Sequence, residues 1–67
     1  MEQPEINALA TRFKATSLML INLNMLEIEE IDKGITITHE LFDDGKFEHA
    51  KKMLDLVDSI IVDILEN

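Results

Sequence analysis

The 67-residue chain has no cysteine, one proline and two glycines, and only 6 Lys and Arg against 14 Asp and Glu. Without cysteine there is no disulfide and no thiolate metal site. With so few cations and a formal net charge of −8, direct binding to a nucleic-acid backbone is excluded, because such binding rests on clustered Lys and Arg. An anionic membrane surface is disfavoured for the same reason. The chain also lacks a membrane span. Its most apolar stretch, starting at Leu18, carries Asn22, Asn24 and Glu27 and falls short of the ~20 apolar residues that cross a bilayer. Met1 to Glu5 has no basic start of an export signal, so the expected location is cytoplasmic.

Catalytic and cofactor chemistry finds little support. His39 with Asp43 and Asp44 with Glu48 are spaced i,i+4, but two ligands fall short of the three or four a metal needs. Ser17 and Ser59 have no base nearby in sequence. The expectation is a non-enzyme with no cofactor and no small-molecule substrate.

What is present is apolar: 46% of residues are hydrophobic, too many for a disordered chain. A chain this short forms one domain, residues 1–67, and buries only about 60% of the surface its unfolded form exposes. Small scaffolds of this kind add disulfides, metal or oligomerisation, and the first two are absent.

The organising stretch is Leu18 to Ile28, apolar almost all the way round a helix. Proline suits the first helical position, and Pro4-Glu5 starts a helix. Ile6, Leu9, Ala10 and Phe13 set a stripe, Thr16 and Ser17 interrupt it, and Leu18, Ile21, Met25 and Ile28 resume it. Leu20, Leu23 and Leu26 add a second flank. Lys33-Gly34 reads as the stop. The predicted first helix, Pro4 to Asp32, is roughly 43 Å long at 1.5 Å per residue. Glu27, Glu29, Glu30 and Asp32 then crowd its negative pole, an unfavourable place for carboxylates.

Ile35 to Thr38 alternates but is too short and unpartnered for a strand, and its threonines read as helix caps. Asp43-Asp44-Gly45 signals a break in the second arm, with a kink as the alternative. Beyond it Phe47, Ala50, Leu54, Val57, Ile61 and Ile64 step by three and four, a seam for shallow-angle packing. The predicted fold is all-α: an antiparallel helical hairpin, its second arm broken near Gly45, assembling into a helical bundle. In that register Arg12 and Lys14 meet Asp55 and Asp58, and Glu27 to Asp32 face Glu40, Asp43 and Asp44.

Two such arms carry more apolar side chains than they can bury against each other. The expected function is a protein-interaction module that self-associates or binds a partner helix, with Leu20, Leu23, Leu26 and Ile60 as the contact face. The alternative is an acidic inhibitor in which Glu27, Glu29, Glu30 and Asp32 mimic nucleic-acid phosphates before a DNA- or RNA-handling enzyme.

Two resemblances bear on this. Gly45-Lys46-Phe47-Glu48-His49-Ala50, with Leu54 and Val57, is similar to the turn and second helix of a tetratricopeptide repeat. It covers a single half-repeat, and without a second copy a solenoid is excluded. The whole chain resembles the small E-component co-chaperones of type III secretion needles, with Lys33-Gly34 at the central turn and Ser59-Ile60-Ile61-Val62 in the last helix. That resemblance implies a hairpin that pairs with a repeat-type chaperone and keeps a needle subunit from polymerising.

Overall fold

A computed structural model describes all residues, 1–67. Three α-helices, α1 (Gln3–Asn22), α2 (Glu29–Asp43) and α3 (Phe47–Glu66), and one 3-10 turn (Met25–Glu27) make up the fold, with no strand. The all-α class read from the sequence therefore holds. So does the break at Gly45, which takes φ +75. There Gly45 N–H donates to Phe42 O and Lys46 N–H to Leu41 O, the paired bonds of a glycine-terminated helix end.

The first chain reversal is not where the glycine pattern put it. α1 stops at Asn22, and Asn24 adopts the left-handed conformation at φ 55. Asparagine tolerates that region at small cost. Leu23 N–H and Asn24 N–H close the end on Met19 O and Ile21 O. Gly34, expected to cap the helix, lies inside α2 and is buried. The single 29-residue first helix is thus two helices joined by residues 23–28.

This shift corrects several readings. Glu29, Glu30 and Asp32 occupy the first turn of α2, the positive pole of a helix, where carboxylates are favourable. Glu40, Asp43 and Asp44 sit at the other end of α2, so the two acidic groups do not face each other. Ile35 to Thr38 is helix interior, and Thr38 caps nothing: it is buried, its hydroxyl donating to Gly34 O at 2.7 Å. The α1 stripe does not skip Thr16. It runs Leu9, Phe13, Thr16, Leu20, and Leu18 and Ile21 point outward.

The antiparallel hairpin is formed by α2 and α3, which make the most extensive helix–helix contact. Gly34, Thr38 and Ala50 are small and fully buried or nearly so, which lets the two backbones approach. α1 lies across this pair and runs parallel to α3. Its Leu9 joins Ala50 and Leu54 in one cluster, and its Leu20 joins Met25, Ile31, Val57 and Ile61 in the other. Phe13, Phe42 and Phe47 meet at the first cluster in a tilted and an edge-on pair, with ring centroids 5.7 and 5.8 Å apart. From the α3 seam, Ala50, Leu54, Val57 and Ile61 are buried, Phe47 is half-buried, and Ile64 is exposed near the helix end.

The contact at Gly34 makes a sharp prediction. A Cβ on Gly34 would collide with Val57 Cγ2, a stiff β-branched methyl. Gly→Ala inside a helix ordinarily stabilises by about 1 kcal/mol. Here overpacking, typically ~1–3 kcal/mol, outweighs it. Gly34→Ala should lower the urea midpoint, and adding Val57→Ala should recover part of the helix-propensity gain. A more stable Gly34→Ala single variant would show that α2 and α3 do not approach this closely.

Candidate functional site

Ten large apolar side chains remain exposed, more than the eight that form the buried core. Seven of them fall in two regions. The first is a shallow groove between α2 and α3, lined by Glu30, Lys33, Gly34, Ile37, Met53, Leu56, Val57 and Ile60. No α1 residue lines it, because α1 covers the opposite side of the hairpin through Phe13 against His39 and Phe42. On α3 the groove wall follows from spacing: Met53, Leu56 and Ile60 lie three and four apart, one helical stripe beside the buried seam. On α2, Ile37 follows Lys33 by one turn. Ile37 and Leu56 are the most open of these, at 40% and 54% exposure.

The second region is the end of the bundle where α1 and α3 terminate together, with Leu18, Ile21 and Leu23 from α1 and its cap and Val62 and Leu65 from α3.

The four residues expected to form one partner face are divided by this geometry. Leu20 is fully buried and belongs to the core, so it leaves the contact face. Leu26 is half-buried against the same core cluster. Leu23 is exposed at the α1 cap, and Ile60 lines the groove. Ile37, Met53 and Leu56 were missed. The 3–4 spacing of Met53, Leu56 and Ile60 beside the seam was the available signal, but Ile37 was legible only with Gly34 placed inside a helix.

The acidic candidates Glu27, Glu29, Glu30 and Asp32 are all exposed and cluster at the start of α2. Glu29 holds Lys33 at 3.0 Å, one turn on. His39 Nδ1 lies 3.5 Å from Asp43, an exposed pair. No group of three or more His, Asp or Glu converges as a metal site, and no helix is long and apolar enough to cross a membrane.

The one ion cluster that joins two helices is Arg12 with Asp55 and Asp58. Arg12 Nη2 bonds Asp58 and lies 2.7 Å from Asp55 Oδ1, while Lys51 approaches Asp55 at 3.7 Å. The Arg12 pairing matches expectation even though α1 and α3 run parallel rather than antiparallel, because the three residues sit near mid-helix, where both registers coincide. Lys14 departs from expectation and lies instead near His39, Phe42 and Asp43. The hydrogen bond to Asp58, opposed by partial burial and aided by Asp55, raises the Arg12 pKa. The Arg12 hydrogen bond holds the Asp55 carboxyl below the usual carboxylate range. Comparison with known proteins returns no matching family model, no matching curated protein and no matching solved structure.

Because the Asp55 pKa is depressed in the folded chain, its contribution is present above ordinary carboxylate pKa values near 3.9 and is lost as pH falls through the lowered value. Half-exposed, the pair is worth about 0.5–1 kcal/mol after solvent screening. Arg12→Gln should cost that much at neutral pH and progressively less below about pH 4, as followed by urea titration across pH. A cost independent of pH would assign Arg12 a packing role instead.

Proposed function

We propose that the chain is a non-enzymatic protein-interaction module, acting by stoichiometric binding through its exposed apolar side chains, as a small adaptor or co-chaperone does. The observation that carries this reading is the open α2–α3 groove. It is apolar along its middle, formed by two helices packed on each other, and left uncovered by the only other helix in the chain. The accessible surface of the whole chain, 4627 Å², exceeds the roughly 4,300 Å² expected for a monomer of 7.7 kDa. Ile37 and Leu56 stand exposed in this groove, and exposed apolar side chains in a groove suit contact with protein.

The co-chaperone resemblance supports the general mode of action but loses one of its anchors, since Gly34 is helix interior rather than a central turn. The alternative is that Glu27, Glu29, Glu30 and Asp32 mimic nucleic-acid phosphates. Glu29, Glu30 and Asp32 have a local role at the α2 N-terminus, where they favour the helix they begin.

The two readings separate by salt. Protein retained on the immobilised chain, whether another copy or a different protein, should stay bound as salt rises, because apolar contacts are barely screened. Ile60→Asp should release it. Steep loss with salt, with retention unaffected by Ile60→Asp, would move the function to Glu27, Glu29, Glu30 and Asp32.

A further inference from the structure

Building on that association reading, we infer that the occupant of the α2–α3 groove is a helix of another protein, apolar along one stripe and carrying Lys or Arg at one end. The apolar part of the groove is short. Ile60 follows Met53 by seven residues, about 10.5 Å at 1.5 Å per residue. Two turns of a partner helix cover that length, with apolar anchors at i, i+4 and i+7.

Charge selects the kind of helix. On α3 the stripe of Met53, Leu56 and Ile60 continues, three residues on, to Asp63. On α2 the stripe of Ile37 and Lys33 runs back to Glu30. The two helices are antiparallel, so Glu30 and Asp63 lie at the same end of the groove. Acids accumulate at that end: Glu27, Glu29, Glu30 and Asp32 at the entry to α2, Asp63 and Glu66 at the close of α3. Lys33 is the single Lys or Arg between Lys14 and Lys46, and none follows Lys52. Glu29 already holds Lys33 at 3.0 Å. The last turn of α3, a negative helix pole, has no cation of its own. Toward Gly45 the balance differs, because Glu40 and Asp44 stand among Lys46 and Lys52. The groove is therefore acidic at one end, apolar in the middle and mixed at the other. A cationic helix end complements the acidic end, and an acidic one is repelled by it. A second copy fits poorly: it brings a further −8, and none of its helices has a Lys or Arg in its last turn.

Fluorescence anisotropy with synthetic helical peptides of about five turns tests this, each with one leucine stripe. The first carries a Lys cluster at one end, the second carries Glu at those positions, and the third has the composition of the first with the stripe scrambled. The Lys peptide should bind about tenfold or more tighter than either of the others. Leu56→Gln should weaken it by about tenfold, and Leu18→Gln, on exposed α1 surface, should leave it unchanged. Glu30→Gln with Asp63→Asn should weaken it several-fold, whereas Glu2→Gln with Glu5→Gln, the same change in net charge at the start of α1, should not. All four glutamates and aspartates are exposed, so these two variants remain informative if Leu56→Gln fails to fold by circular dichroism. Equal binding of the Lys and Glu peptides overturns the inference and leaves the association reading standing. Equal binding of the scrambled peptide, or equal weakening by the two charge variants, reduces the effect to general attraction and also overturns it. If no peptide binds, the inference falls. The association reading then survives where Ile60→Asp still releases protein retained on the immobilised chain, and falls as well where none is retained.

Discussion

The close approach of α2 and α3 is the constraint on which the rest of the structure depends. Gly34 has no side chain, and Val57 fills the space a Cβ would take. Thr38, one turn on, removes its own polarity by bonding Gly34 O, so a hydroxyl is buried without an orphaned group. Ala50 plays the equivalent part on α3, near the other end of the contact. With the two backbones drawn together, their shared seam is narrow, and the larger apolar side chains are displaced to either side. One side receives α1. The other side is the open groove.

That arrangement explains how an acidic, cysteine-free chain can be folded and still leave an apolar groove uncovered. The core consists of two small clusters, one around Leu9, Ala50 and Leu54, the other around Leu20, Ile31, Val57 and Ile61. Neither is large, and domains of this size have little stability to spare. Covering the groove removes Ile37, Leu56 and their neighbours from water at about 25 cal/mol per Å² of apolar surface. The acids at the start of α2 contribute locally to the helix pole, and one of them, Glu30, lines the groove together with Lys33.

The sequence made some of this legible and hid the rest for definite reasons. The α3 seam was readable because twenty residues keep one period without interruption. The Gly45 break was readable because Asp-Asp-Gly is a strong turn signal, although the sequence left a kink as the alternative to a true break. Leu18 to Ile28 misled because it looked like one helix, apolar all round, when it is the end of α1, a reversal and the entry to α2. Leu20, Leu23 and Leu26 share a spacing but not an element, so one is core, one is cap and one is turn. The pair Asn22 and Asn24 was the usable clue, since asparagine is the commonest substitute for glycine in a left-handed cap. Gly34 outweighed it, because a glycine after lysine imitates a helix stop, and only its neighbour Val57 on another helix reveals that it serves packing instead.

Native-state amide hydrogen exchange tests the centrality of the α2–α3 contact most directly. Amides of Lys33 to Leu41 and of Ala50 to Ile61 should exchange only through global unfolding, while most of α1 opens at lower free energy. Exchange in which α1 is protected as strongly as α2 and α3, or in which the amides around Gly34 open first, would contradict the account.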